Sequence, residues 1–239
     1  MTNNCVFCDK SKFEERLVGE TKDFWIIATL GQISNSGYEL LVPKRHVECI
    51  GAMKKKEVEI LEKLLTKARE ALTKEYGVQG IIFEHGIVGQ TIKHAHLHLI
   101  PEICSITGKI YRDFPDNDLI WFPPTELSKL FLKTYAARKE PYLFWQDSIS
   151  DTYKVVWNPP APPQYLRTVV AEALGRTPEI ILAVERFRAR RRRIDEPAVA
   201  VPATEDREPV LRKRKNRLRR LAERTAGRWW VSRWHAAGG

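Results

Sequence analysis

The sequence predicts an α+β fold in which helices flank a mainly antiparallel sheet and a basic tail follows. Short apolar runs joined by polar turns predict hairpins, and segments with helical periodicity stand apart from them. Strands and helices that do not alternate regularly are typical of this class. A hydrophobic content of 43% in 239 residues is enough for a sizeable core.

The predicted strands are short and bounded by turn residues. Residues 16–30 contain two apolar runs around a polar turn, which predicts a hairpin, and residues 38–47 predict a further strand with Pro43 at its end. The remaining apolar runs predict two more strands and a late hairpin, at residues 80–86, 94–100, 142–147 and 153–157.

Three segments predict helices. The first covers residues 54–77, where Gly77 is a suitable stop and apolar residues recur at helical spacing, namely Val58, Leu61, Leu64, Leu65, Ala68 and Leu72. The second covers residues 126–139. The third follows a proline-rich loop within residues 159–175 and ends at Gly175.

Three histidines, His94, His96 and His98, fall at alternate positions. In a strand they would share one face, and the residues between them would point into a core, namely Ala95, Leu97 and Leu99. Successive histidine Cα atoms would lie roughly 6.6 Å apart. Spacing alone therefore leaves open a shared metal, a catalytic group or polar residues on a solvent face.

Cys5 and Cys8 form a C-x-x-C pair, which is a metal half-site or a redox pair. A redox pair of the thioredoxin type follows a strand and opens a helix, which this stretch does not do. A structural zinc needs two more ligands, and the candidates are Cys49, Cys104 and the histidines. A set of Cys5, Cys8, His46 and His94 is stereochemically ordinary and leaves His96 and His98 free, while unligated thiols are the alternative.

Four motifs together resemble the histidine-triad (HIT) family of nucleotide hydrolases and transferases. They are "CVFC", "NSGYELLVPKRHV", the glutamine-containing approach "GQTIKH" and the triad "HAHLHLI", in family order from Cys5 to Pro101. Residues 140–147 and 164–175 resemble a C-terminal extension of longer HIT-like proteins, including a branch related to splicing and lariat-debranching factors.

The resemblance implies a division of labour among these residues. His96 would be the nucleophile that attacks the α-phosphorus, and His98 would donate hydrogen bonds to the phosphate oxygens. Gln90 would reach the phosphate or the leaving-group oxygen, or else cap backbone groups. A structural zinc would be held by the set Cys5, Cys8, His46 and His94.

The chain departs from the family pattern in the segment before the third predicted strand. The family usually has an acidic or amide residue there that contacts the ribose. The acidic group is missing in this chain, and Asn35 or Thr29 is the expected substitute. Tyr38 follows the glycine where the family often has a histidine. Base and sugar preference therefore do not follow from the resemblance.

The C-terminal segment differs in composition from the rest. Residues 184–239 contain 17 Lys+Arg and 7 Asp+Glu, so they carry the whole net charge of +10. We predict a HIT-like catalytic domain over residues 1–123, an extension packed on it over 124–183, and an Arg-rich tail over 184–239 with helical segments and a disordered linker. Arginines interleaved with tryptophans are consistent with nucleic-acid binding by this tail, and the alternatives are a membrane-surface helix and a disordered extension without a selected function.

The predicted function is cleavage at the α-phosphate of a small nucleotide, such as a dinucleoside polyphosphate or a nucleoside phosphoramidate. The alternative is an RNA- or DNA-associated protein that acts on nucleic-acid ends or branched RNA. The first residues lack the order of a signal peptide, and no apolar run reaches 18 residues, so a cytoplasmic protein without a transmembrane segment is expected. Many HIT proteins dimerise, so a homodimer is also an expectation.

Overall fold

Eight strands form one sheet in which every neighbouring pair is antiparallel. The computed structural model describes residues 5–29, 31, 33, 34, 36–123 and 127–176. The strands are β1 Leu17–Glu20, β2 Phe24–Ala28, β3 Glu39–Pro43, β4 Ile81–Gly86, β5 Leu97–Ile100, β6 Leu119–Phe122, β7 Tyr142–Gln146 and β8 Tyr153–Trp157. Their order across the sheet is β1-β2-β3-β5-β4-β7-β8-β6.

Helices cover both faces of this sheet. They are α1 Lys55–Tyr76, α2 Thr107–Asp113, α3 Leu132–Arg138, which continues a π-helical turn at Leu127–Phe131, and α4 Tyr165–Ala173. Short 3-10 turns form the N-terminal segment at Val6–Cys8, Lys10–Lys12 and Glu14–Arg16, and another lies at Ile50–Ala52. The α1 helix ends where Gly77 adopts a left-handed conformation with φ +74°, which glycine adopts without strain.

Two separate apolar clusters lie on the two faces of the sheet and hold the helices against it. On one face, here called the helix face, α1 packs with the turn before α3 against apolar side chains of the sheet. On the other, here called the triad face, the N-terminal turns, α2 and α4 pack against the sheet. Alternating side chains along β3 show this division, because Leu41 belongs to the helix face and Leu40 and Val42 belong to the triad face.

The predicted α+β class and its main elements are confirmed. The first hairpin is β1 and β2, the late hairpin is β7 and β8, and the three predicted helices correspond to α1, the segment 127–138 and α4. The predicted domain boundary at residue 123 stays a prediction, although β6 on one side of it pairs with β8 on the other. The predicted tail, 184–239, lies outside the described residues.

The α2 helix was not predicted, and its start depends on a distant residue. The carboxylate of Asp147, at the end of β7, accepts hydrogen bonds from the backbone N–H of Ile106 at 2.8 Å and from the hydroxyl of Thr107 at 2.5 Å. The carboxylate of Asp147 thus caps the N-terminus of α2, although it is about forty residues away in the sequence. No local capping residue in the sequence therefore indicates this helix.

The strand predicted over residues 94–100 is regular only from Leu97 onward. The carbonyl oxygen of His94 accepts hydrogen bonds from Nδ1 of His96 at 2.6 Å and from Nε2 of Gln90 at 3.1 Å. Side chains thus occupy a carbonyl that a regular ladder would use, which is the physical reason for the shorter strand. The predicted alternation still holds, since Ala95, Leu97 and Leu99 pack on the helix face.

Among the described helices, none combines the length and the apolar character that crossing a bilayer requires.

Candidate active site and metal cluster

Four side chains from three parts of the chain converge at the edge of the triad face. They form the Cys/His cluster, which consists of Cys5, Cys8, His46 and His94, and their ligand atoms all lie within 4.8 Å of one another. Nδ1 of His94 is 3.3 Å from Sγ of Cys5 and 3.5 Å from Sγ of Cys8. Nδ1 of His46 is 3.3 Å from Sγ of Cys8.

The three contacts of 3.3–3.5 Å are those expected between ligands of a tetrahedral metal site. Ligands placed about 2.0–2.3 Å from a tetrahedral zinc lie roughly 3.3–3.8 Å apart. The donor set of two thiols and two imidazoles is also the usual one for structural zinc. The cluster therefore has the composition and spacing to hold a zinc ion with all four positions filled by protein.

The ring of His94 is held in the tautomer that metal binding requires. Its Nε2 donates to the backbone carbonyl of Pro43 at 2.8 Å, which leaves the Nδ1 lone pair directed toward the thiols. Burial lowers the pKa of His94 to about 4, against the opposing effect of that hydrogen bond. The ring is thus neutral near pH 7, as a metal ligand must be.

The ring of His96 is oriented by one backbone carbonyl. Its Nδ1 lies 2.6 Å from the carbonyl oxygen of His94, and because a carbonyl can only accept, Nδ1 carries the proton. In the neutral ring Nε2 then keeps its lone pair. The geometry gives His96 the tautomer that a nucleophilic histidine needs.

Phe7 connects the Cys/His cluster to His96. It lies inside the C-x-x-C pair, its ring centroid is 5.7 Å from that of His94, and it is 5.3 Å from that of His96. The side chain is 3% exposed, so it fills the space between the two imidazoles. A change in the position of the cysteines would therefore be transmitted to His96 through one aromatic ring.

His98 is fixed from two sides. The hydroxyl of Tyr38 is 2.6 Å from its Nδ1, and the ring of Phe83 stacks on it with centroids 4.3 Å apart. If the hydroxyl donates to Nδ1, the proton of the neutral ring lies on Nε2, which is then a hydrogen-bond donor. The ring centroids of His96 and His98 are 4.9 Å apart, so both rings can contact the same bound group.

The N-terminus of α4 is attached to the triad face through His85. The backbone N–H of Leu166 donates to Nε2 of His85 at 3.1 Å, and the His85 ring lies 5.9 Å from that of His98. Burial, with smaller electrostatic effects of the neighbouring His96 and Arg167, lowers the pKa of His85 to about 3. His85 is therefore a neutral acceptor that anchors the helix.

The other two predicted binding residues have different positions. Nε2 of Gln90 donates to the backbone carbonyls of Glu48 at 2.9 Å and His94 at 3.1 Å, so the amide caps the backbone, which was the second interpretation of this residue. Its contact with a phosphate stays a prediction. Asn35 lies outside the described residues.

Three side chains near the triad were not predicted to be part of the site, namely Tyr38, Phe7 and Arg167. Tyr38 directly precedes β3, and Phe7 occupies the interior of a C-x-x-C pair, where packing alone explains an aromatic residue. Arg167 left a clearer signal, since it is a charged residue among the apolar residues of α4. One of its two hydrogen-bond acceptors is the carbonyl of Gly31, 136 residues away in the sequence.

The similarity to known proteins covers the N-terminal part of the chain. Residues 4–109 match the family described as "Scavenger mRNA decapping enzyme C-term binding". A HIT-like protein of Mycoplasma genitalium is 26% identical over 106 residues, which cover 42% of this chain and 74% of that protein.

Solved structures of similar proteins cover the same region. A HIT family protein from Bacillus anthracis is 27% identical, with 42% of this chain and 74% of that chain covered and a TM-score of 0.39. A hypothetical histidine triad nucleotide-binding protein from Sulfolobus tokodaii is 28% identical, with 41% and 68% covered and a TM-score of 0.35.

Proposed function

The chain belongs to the histidine-triad family, and on that premise we propose that it cleaves a small nucleotide at the α-phosphate through a nucleotidyl–His96 intermediate. The family's fold is that of nucleotide-binding hydrolases and transferases. The observation that carries the proposal is the 2.6 Å contact between Nδ1 of His96 and the carbonyl of His94. It supports the tautomer in which Nε2 of the neutral ring keeps its lone pair and can act as the nucleophile.

The proposed reaction has two displacements at phosphorus. In the first, the Nε2 lone pair of His96 forms a bond to the α-phosphorus, and the leaving-group oxygen or nitrogen departs with the electrons of the broken bond. In the second, water or another acceptor attacks the same phosphorus and releases a proton to solvent, and the P–N bond returns its electrons to Nε2. His98, with its proton on Nε2, stabilises the charge on the phosphate oxygens in both steps.

Zinc in the Cys/His cluster is proposed as a structural ion. Two thiolates and two imidazoles would fill all its positions, so it would supply fixed geometry and no open coordination site. The N-terminal turn Val6–Cys8 would thereby be fastened to the residues that precede β5. Phe7 would hold His96 in place from this turn.

A second candidate function is action on RNA. The matched family description names an mRNA decapping enzyme, and the 17 Lys+Arg of residues 184–239 would neutralise RNA phosphates. The substrate panel should therefore include a dinucleoside polyphosphate, a nucleoside phosphoramidate, a cap analogue and single-stranded RNA. Turnover of a small nucleotide favours the first function, whereas RNA binding without turnover of any small nucleotide favours the second.

The nucleophile is tested by replacing His96 in the full-length chain. His96→Ala should reduce kcat by at least about 10³-fold and should eliminate the nucleotidyl-protein adduct that acid quenching traps in the wild type. Lys93→Ala is the matched control, because Lys93 is exposed and three residues away. A His96→Ala protein with wild-type turnover would refute the nucleophile assignment.

A further inference from the structure

Arg167 is a buried cation next to the triad, with no carboxylate partner among the residues that the structure describes. It is 7% exposed, its Nη1 donates to Oε1 of Gln164 at 2.6 Å, and its Nη2 donates to the carbonyl of Gly31 at 2.9 Å. Its Nε is buried and has no hydrogen-bond partner in the described part of the chain. By contrast, the buried Lys154 is paired with the carboxylate of Asp147 at 3.2 Å.

The described residues provide no negative charge for the guanidinium of Arg167, and they leave some of its N–H donors without an acceptor. A guanidinium has five N–H donors, and the two neutral acceptors use two of them. A buried cation without a counter-ion is costly, because neutral oxygens replace only part of its hydration. The complementary ligand is an anion. The planar fork of arginine matches both carboxylate and phosphate, and phosphate is the anion that a nucleotide carries.

The position of Arg167 relates this charge to the triad. Its Cζ lies 5.9 Å from the ring centroid of Tyr38, whose hydroxyl contacts Nδ1 of His98. The neighbouring residue Leu166 donates to His85, which packs against the His98 ring. Since the polar contacts of Arg167 are with Gln164 and Gly31, the guanidinium stands beside the triad rather than within it.

We propose that Arg167 binds a second phosphate of the substrate, distinct from the phosphate that reacts at His96. The inference rests on the proposed function, since it requires a nucleotide phosphate at the triad. The second phosphate belongs either to the 5′-phosphate chain or to the ribose, and the chemistry of recognition is the same for both. His96 and Arg167 are each 7% exposed, and each lies close enough to His85 to lower the pKa of that imidazole.

The competing role is purely structural, because Arg167 also joins α4 to the loop at Gly31. Arg167→Gln separates the two roles, since the amide keeps a hydrogen-bond donor but has no charge. Arg167→Lys keeps the charge and loses the fork. Arg176→Gln is the matched control, because Arg176 follows α4 and, unlike Arg167, pairs with a carboxylate, that of Glu102, at 3.6 Å.

The experiment measures the affinities of AMP, ADP and adenosine 3′,5′-bisphosphate by calorimetry. The full-length chain carries His96→Ala in every sample, so that no ligand is consumed. We expect ADP or the 3′,5′-bisphosphate to bind at least 10-fold more tightly than AMP, as a charge-assisted contact of about 1.5–3 kcal/mol would give. An ADP preference places the second phosphate on the 5′ chain, and a bisphosphate preference places it on the ribose.

Arg167→Gln should reduce this preference to less than about 3-fold while AMP affinity stays within about 3-fold, and Arg167→Lys should keep part of it. Arg176→Gln should leave all three affinities unchanged. Equal affinities of the parent protein for all three ligands, or an equal loss for all three in a folded Arg167→Gln protein, would overturn the inference alone. No binding of AMP, together with no turnover by the wild type, would overturn the proposed function as well.

Discussion

At the scale of single residues, His96 and His98 have the same side chain but different hydrogen-bond partners at Nδ1. The backbone carbonyl of His94 places the proton of His96 on Nδ1, and the hydroxyl of Tyr38 can place that of His98 on Nε2. One ring is thereby suited to attack and the other to donate. The division of roles depends on the partner of Nδ1 and not on the rings themselves.

Tyr38→Phe tests the control of His98. The variant removes a 2.6 Å hydrogen bond to Nδ1, so the donating tautomer loses its preference. We expect kcat/KM to fall about 10-fold, since a hydrogen bond of this kind contributes about 1–1.5 kcal/mol. Steady-state kinetics with the best substrate of the panel measures it.

The control for this variant is Tyr153→Phe, because Tyr153 is a buried tyrosine on the helix face of the sheet. It should lower the thermal midpoint without changing kcat/KM by more than about 2-fold. If Tyr38→Phe remains folded with wild-type kinetics, the hydroxyl does not control His98.

At the scale of elements, the N-terminal segment has little regular structure of its own. It consists of three-residue 3-10 turns, and Phe7 and Phe13 are its buried apolar anchors on the triad face. A metal in the Cys/His cluster would replace the hydrogen bonds that a longer helix or strand would provide. The segment is therefore the element whose order should depend most on metal.

Cys5→Ser tests this dependence. Elemental analysis should find one zinc per chain in the wild type and less than about 0.2 per chain in the variant. Because Phe7 packs on His96, we expect kcat to fall at least about 10-fold and the thermal midpoint to fall by several degrees.

Cys104→Ser is the control for metal content, because Cys104 is a buried thiol outside the cluster. It should retain zinc and activity. A wild-type protein that is folded, active and free of zinc would contradict the proposed cofactor.

At the scale of the whole molecule, the sheet and the C-terminal part of the chain are joined. The β7 strand pairs with β4, β8 pairs with β7, and α4 contacts His85, so residues beyond 140 complete the surroundings of the triad. The backbone carbonyl of Pro162 also approaches Gly89, where an added Cβ would lie 2.6 Å from the oxygen. Residues up to 176 are thus part of the candidate site, while the charged segment 184–239 is expected to act separately.

Removal of residues 184–239 tests that separation. The shortened protein should keep kcat/KM for a small nucleotide within about 2-fold, because the described contacts of the triad all involve residues before 177. Its affinity for single-stranded RNA should fall by at least 10-fold. Fluorescence anisotropy at two salt concentrations measures this loss, since phosphate contacts weaken steeply with salt. A folded but inactive shortened protein would show that the tail belongs to the site.

Local patterns in the sequence were sufficient for much of the fold. The apolar periodicity of α1 and its stop at Gly77 depend on neighbouring residues, and so do the hairpins β1–β2 and β7–β8. The α2 helix was missed because Asp147, its partner at the N-terminus, is about forty residues away. The start of β5 was misplaced because side-chain hydrogen bonds occupy the carbonyl of His94.

Residue type and spacing alone were enough to predict the α+β class and the family motifs. The set of four candidate metal ligands followed from the resemblance to the family. The family roles of His96 and His98 also followed from the sequence, although they remain proposals. Only the tertiary structure decided which atom faces each histidine nitrogen, and that Tyr38, Phe7 and Arg167 lie at the triad. The reason is physical: tautomer, burial and an uncompensated charge depend on contacts between distant parts of the chain, which local spacing does not encode.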